Sequence, residues 1–253
     1  MDYDPQFWER FFWLIKYTDS ITFTNVIHEI LVFALTAIVI YHRYRKYGLR
    51  KILIFFSGGF LFSGLEENEM IAVGYELKGT TVFGTEVPMT YYFNYHGYVL
   101  WFMAVPIIVA CAWFVITYTS FQITQKLTKG IVKSALLAAF IGTSMDLMID
   151  PIMIRRYNWI WLAELDQAFW VLQVPISNFI GWFLLIFGFN WIFYWYYDKF
   201  LVKRENWGKI KSTVVFYIFM YAVLILIEFI TVGITVALTP FYGIDISWWP
   251  WPT

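Results

Sequence analysis

Residues 21–51 read ITFTNVIHEILVFALTAIVIYHRYRKYGLRK. About twenty mostly apolar residues run directly into Arg43, Arg45, Lys46, Arg50 and Lys51, with no acid among them. A helix rising 1.5 Å per residue needs about 20 such residues to cross the hydrocarbon layer. Lys and Arg collect in the connections that stay in the cytoplasm. The stretch therefore predicts a membrane span that descends from the outside and is anchored by an inner loop.

Further apolar runs follow at about 52–71, 97–118, 131–150, 169–197 and 212–238. The connection after the third run carries Lys126, Lys129 and Lys133 without an acid. The one after the fifth carries Lys199, Lys203, Arg204, Lys209 and Lys211 against Asp198 and Glu205. The alternate segments are acidic: Asp2, Asp4, Glu9 and Asp19 at the start, then Glu66, Glu67, Glu69, Glu76 and Glu86 against Lys78. Three basic connections agree, so the expected fold is an all-α polytopic bundle of about six spans in the cell membrane. Both termini are expected outside, and residues 1–253 read as one transmembrane domain. Phe7, Trp8, Phe11, Phe12 and Ile15 recur at helical spacing and predict an interfacial helix over about 5–17. No internal repeat is apparent. The Ser57-Gly58-Gly59 and Ser63-Gly64 pairs read as close helix contacts.

Composition agrees. Hydrophobic residues make up 60% of the chain and charged ones 14%. A soluble domain runs nearer half apolar and a quarter charged, so the surplus must face lipid. Aromatics reach 23%, a class that favours membrane interfaces and flat apolar ligands. A net charge of zero gives no reason to expect nucleic acid. Cys111 is the single cysteine and can form no internal disulfide. The first residues lack the basic region of a signal peptide, and the last carry no lipidation signal. With only His28, His42 and His96, a membrane di-iron centre is not expected. There is no phosphate-binding loop or dinucleotide fingerprint.

An ionisable group inside a span costs several kcal/mol and calls for a reason. The candidates are Glu29, Glu66, Glu67, Glu69, Asp146, Asp150 and Glu228, and the predicted orientation puts all of them in the outer half. Asn178 falls in the outer third of the fifth span. Asp146 and Asp150, four residues apart, share a helix face about 6 Å apart. Two carboxyls that close in a poorly solvated site do not both ionise easily, so one is expected to stay a neutral acid at pH 7, as a general acid requires. Two other readings stay open. The pair can hold Mg²⁺ together with substrate phosphates, or it can bridge helix ends with Arg155 or Arg156. Pro151 is expected to end this helix, with Asp146 the deeper of the two acids.

The order Met145-Asp146-Leu147-Met148-Ile149-Asp150-Pro151, then Trp159-Ile160-Trp161, then Val174-Pro175-Ile176-Ser177-Asn178-Phe179-Ile180-Gly181-Trp182 resembles the integral-membrane carotenoid-biosynthesis family that includes the carotenoid 1,2-hydratases. Glu66 to Glu69, Tyr91-Tyr92-Phe93, Val105-Pro106 and Trp113 form a looser upstream part of the same pattern. The resemblance covers about residues 55–195. After the acidic helix end the chain departs from it, with Phe83-Gly84-Thr85-Glu86 where the family has a Gly- and Tyr-rich loop, so the substrate end differs. The resemblance implies addition of water to a terminal isopropylidene double bond of a lipophilic polyene or isoprenoid, with no redox cofactor and no metal. Asp146 or Asp150 would then be the acid, Glu66 or Glu69 would place water, and Asn178 would position either. Trp113, Trp159, Trp161 and Trp182 would stabilise the carbocation with their ring faces, unless the tryptophans are belt anchors. A substrate of this kind predicts a cavity in the outer half that opens sideways to lipid. The rivals are a Mg²⁺-dependent membrane prenyltransferase, a small transporter and a non-catalytic lipid-binding protein.

Overall fold

A computed structural model of the chain describes residues 7–16, 21–77, 80–82, 85–86, 91–94, 97–204 and 206–247. A short helix α1 (Phe7–Arg10) precedes six long ones: α2 (Phe23–Tyr47), α3 (Leu49–Leu77), α4 (Ile107–Leu127), α5 (Ile131–Arg155), α6 (Ile176–Trp195) and α7 (Lys209–Ala237). Five of the six are apolar and long enough to cross a membrane. At 29 residues, α3 is about 43 Å long and spans the same thickness, but Glu66, Glu67 and Glu69 in its second half interrupt its apolar run. The chain is a multi-pass helical membrane protein.

The helices alternate in direction, as contacts at their ends show. At one end, Arg50 at the start of α3 donates to Lys209 O and Ser212 Oγ at the start of α7. There too, Arg43 near the end of α2 donates to Tyr194 OH near the end of α6, and Thr124 of α4 donates to Ser134 O of α5. This end carries the Lys- and Arg-rich connections. Two of them are tight, turning through Gly48 at φ +82° and Gly130 at φ +98°, a region that favours glycine. The acids gather at the opposite end. Both described ends of the chain lie there as well: Leu14 O accepts from Trp101 N, and strand β9 (Asp245–Ile246) pairs with β7 (Trp170–Val171).

The acidic end also reveals a repeat that the sequence reading missed. A helix, a short strand, a two-residue hairpin and a second helix occur twice. The first copy is α3, β3 (Tyr91–Phe93), the hairpin β4–β5 (Trp101–Phe102, Val105–Pro106) and α4. The second is α5, β6 (Trp159–Trp161), the hairpin β7–β8 (with β8 Val174–Pro175) and α6. Both hairpins pair a Trp with a Pro and lead straight into a helix that begins at Ile107 or Ile176. Strands β3 and β6 pair antiparallel about Tyr92 and Ile160, which joins the two units. A further two-residue pair, β1 (Thr81–Val82) with β2 (Thr85–Glu86), lies in the α3–β3 connection.

These hairpins correct several expected boundaries. The third and fifth apolar runs do not begin as helix; their first residues form the hairpins, and the helices start after Pro106 and Pro175. Both turns hold non-glycine residues at positive φ, Met103 in one and Leu172 and Gln173 in the other. Side chains support them. Asn68 Oδ1 accepts from Ala104 N at 2.6 Å and its Nδ2 donates to Phe102 O, while Ser247 Oγ accepts from Gln173 N. Glu29, expected as a candidate deep functional acid, is a buried clamp: its Oε1 accepts from Val99 N and Leu100 N. Pro151 does not end its helix. Proline removes one amide donor, and α5 continues past it to Arg155 before Arg156 N caps the last turn. The N-terminal helix is only Phe7–Arg10; the rest of 5–17 is not helical or lies outside the described residues.

The main core lies between α3, α4, α5, α6 and α7 and is rich in aromatics, including Phe55, Phe62, Trp113, Phe189, Phe193 and Phe216. Rings sit on the small residues of α3: Phe189 and Phe216 on Gly58, Phe189 and Trp113 on Gly59, and Phe102 on Gly64. In the basic half, Phe189 fills the space between α3 and α6. In the acidic half the two helices leave a gap that α7 covers from one side, and this gap is the candidate site.

Candidate active site

The acids read from the sequence converge here. Asp146 and Asp150 lie one turn apart on α5, at 1% and 4% exposure. Asn178, on the first turn of α6 just after the Val174–Pro175 strand, faces both. Its Nδ2 donates to Asp150 Oδ2 at 2.5 Å and to Asp146 Oδ2 at 3.2 Å. The two carboxyls also lie within hydrogen-bonding reach of each other. Carboxylate oxygens only accept, so a bond between them requires that one carboxyl carry a proton. Oδ1 of Asp146 is buried and has no hydrogen-bond partner among the described residues. A third acid, Glu67 of α3, is close enough to interact with both aspartates. It accepts from Tyr91 OH, and the pairing of Tyr91 with Trp161 in the β3–β6 ladder holds that tyrosine in place.

Beside this cluster is a cavity of about 320 Å³. Its walls come from the acidic halves of α3, α6 and α7, and it is roofed by residues 163, 167–169, 238, 239 and 242. The lining is mostly apolar. Glu66, Glu67 and Glu228 supply its carboxyls and Asn178 a side-chain amide, and Tyr91, Trp161 and Trp182 supply ring faces. No Lys, Arg or His lines it among the described residues. Val73 of α3 and Val232 and Val236 of α7 line the cavity and are also exposed on the outside of the bundle. The cavity therefore reaches the lipid-facing surface between α3 and α7, as the sequence led us to expect.

The expected residues do not all meet it. Asp146 and Asp150 lie behind the wall, with Asn178 and Glu67 between them and the open space. Glu69 is off the wall, where it accepts from Tyr221 OH at 3.3 Å and hydrogen-bonds Glu228. Trp161 and Trp182 line the cavity, whereas Trp113 and Trp159 do not. Trp113 belongs to the main core, 6.0 Å from the ring of Phe62 and 5.6 Å from that of Phe189. Trp159 sits two residues back along β6, about 7 Å away, and packs on its cross-strand partner Phe93. The expected arginine partners are not the donors that reach the aspartates; Asn178 is.

Three wall residues were given no catalytic role from the sequence: Glu67, Tyr91 and Glu228. Glu66, Glu67 and Glu69 spread over about 160° of the helix circumference, and nothing in the sequence says which of them turns inward. Tyr91 lies in a short strand whose pairing partner is far away in sequence. Glu228 stood out only as an acid in an apolar run.

No curated protein and no solved structure matches this chain. The profile of the carotenoid biosynthesis protein family matches residues 25–244, which takes in the long helices from the third residue of α2 onward, both hairpins and the whole cavity wall. A chain matched over that range, with a buried carboxyl cluster beside a lipid-accessible cavity, belongs to the carotenoid biosynthesis protein family.

Proposed function

We propose that this protein hydrates a terminal isopropylidene double bond of an acyclic polyene within the cell membrane. One observation carries the reading: an apolar cavity open toward lipid ends at a buried carboxyl cluster and has no basic side chain on its described wall. A long polyene partitions into the bilayer, so an entrance between α3 and α7 suits it. Pockets that enclose a whole drug-sized ligand run from about 300 to 1,000 Å³. At about 320 Å³ this one suits the end of a long chain, with the remainder left in lipid.

Asp146, Asp150 and Glu67 act as one acid centre. The aspartate pair stores the proton, and Glu67, the member that reaches the cavity, passes it to the less substituted carbon of the double bond. Asn178 holds the two aspartates in register, and Tyr91 fixes the rotamer of Glu67. Protonation leaves a tertiary carbocation, which the faces of Tyr91, Trp161 and Trp182 stabilise through their quadrupoles. Water then adds to the cation, with Glu66 as a wall group able to orient it.

A prenyl transfer that starts from a diphosphate fits less well, because the wall would set carboxyls against phosphate with no cation from the described protein to balance them. The test uses purified protein in lipid with an acyclic carotene, followed by mass spectrometry. Hydration predicts a gain of one water per modified end. Recovery of unchanged carotene would refute the proposal, and attachment of a prenyl unit would replace it with transfer.

A further inference from the structure

Addition of water to a carbocation needs a base as well as an acid. The acid centre leaves little room for that role: Glu67 accepts from Tyr91, and the aspartates lie behind the wall. On the same cavity wall, α7 presents Glu228. This residue lines the cavity, and its Oε1 is buried with no hydrogen-bond partner among the described residues. The carboxyl is held from behind, since it hydrogen-bonds Glu69, which in turn accepts from Tyr221 OH at 3.3 Å; two carboxyls so bonded share one proton and leave one carboxylate between them to accept another. Its position is set by packing: Ile227, the preceding residue, is buried and lies over Gly188 of α6. Glu66, also on the wall, is close enough to interact with Glu69, Glu228 and Glu67.

From this arrangement we infer that Glu228 is the base that takes the proton from the attacking water, and that Glu66 returns this proton to the acid centre. The inference rests on the hydration reading. The acid centre gives a proton to the vinylic carbon, and the π pair of the double bond forms the new C–H bond. The water oxygen donates a lone pair to the tertiary cation and forms the C–O bond. One proton of that water passes through Glu228 to the singly charged Glu228–Glu69 pair, leaving a neutral tertiary alcohol. Passage of that proton through Glu66 to Glu67 restores both centres. The net change is the addition of one water, with no oxidant, reductant or further reactant. Carboxyl groups on two different helices of the wall suit an addition whose acid and base act on different atoms.

The test is Glu228→Gln, which keeps the size of the side chain and its contact with Glu69. It is assayed in D₂O with an acyclic carotene, per folded molecule as measured by gel filtration. Alcohol formation should fall at least about 100-fold, the usual scale for loss of a general base. The acid centre should still protonate the double bond reversibly, so carotene recovered from this variant should carry deuterium at the terminal vinylic carbon. Glu228→Asp, which keeps the carboxylate, should recover part of the alcohol yield. Alcohol formation at the wild-type rate in Glu228→Gln would overturn the inference and leave hydration standing. Loss of alcohol and of deuterium uptake together, in folded Glu228→Gln, would also overturn it, because Glu228 would then belong to the acid step. If the wild-type protein forms no alcohol, the hydration reading fails first and this assignment falls with it.

Discussion

Glu67 offers the sharpest test of the acid centre, because two replacements separate chemistry from stability. In Glu67→Gln the amide oxygen still accepts from Tyr91 OH, so little is lost in packing or hydrogen bonding. Stability should change by less than about 1 kcal/mol, the scale of exchanging one hydrogen bond for another. In Glu67→Leu the hydroxyl of the buried Tyr91 loses its acceptor, at a cost of about 1–3 kcal/mol. Neither side chain can deliver a proton. General acid catalysis contributes about 10²–10⁴-fold, or about 2.7–5.4 kcal/mol of barrier. Both variants should therefore lose turnover of an acyclic carotene by a similar factor, while only the leucine variant loses stability. Turnover per folded molecule, from product mass spectrometry, is set against thermal unfolding followed by size-exclusion chromatography in detergent. A glutamine variant that turns over at the wild-type rate would refute the placement of Glu67 in the proton path. Losses that track stability in both variants would make Glu67 a purely structural residue.

Other outcomes follow from the same geometry. Asp146→Asn, isosteric and still able to accept from Asn178, should abolish turnover and leave the folded fraction close to wild type; full specific activity would remove the aspartate pair from the mechanism. Gly188→Ala should destabilise the bundle by about 1–3 kcal/mol, because its methyl would press on Ile227 and Val223 of α7. Gly181→Ala, whose nearest neighbour lies 4.0 Å from the added carbon, should be close to neutral, and equal effects at the two positions would contradict the α6–α7 packing. Single cysteines placed within residues 43–51 should be labelled only from the cytoplasm and those within 245–247 only from outside; the reverse pattern would invert the orientation read from the loop charges.

The repeat gives the site a simple structural origin. Each unit drops a Trp-to-Pro hairpin at the acidic end and starts a helix from it, which sets the height at which that helix begins. In the second unit this brings Asn178 level with Asp146 and Asp150. The β3–β6 ladder then carries Tyr91 of the first unit to Trp161 of the second, with ring centroids 4.7 Å apart, so the site draws on both copies.

Much of this protein was legible along the chain. The runs of about twenty apolar residues and the alternation of basic and acidic connections predict the helices, their alternation and the shared side for both described ends of the chain, because lipid leaves a helix no other way to satisfy its backbone. The spacing of Asp146 and Asp150 places them on one face of α5 from the periodicity of the helix alone. What lay beyond the sequence depends on long-range pairing. Periodicity does not say that residues 101–106 and 170–175 fold into hairpins before their helices begin, since an apolar run reads alike as helix or buried strand. It does not say that Glu29 turns to bind two loop amides, or that Trp113 packs into the core while Trp161 faces the cavity. Nor does it tell Glu67 from Glu66 and Glu69, or bring Glu228 across from α7, because which side of each helix meets a partner is decided only when six helices pack together and leave α3 and α6 apart at one end.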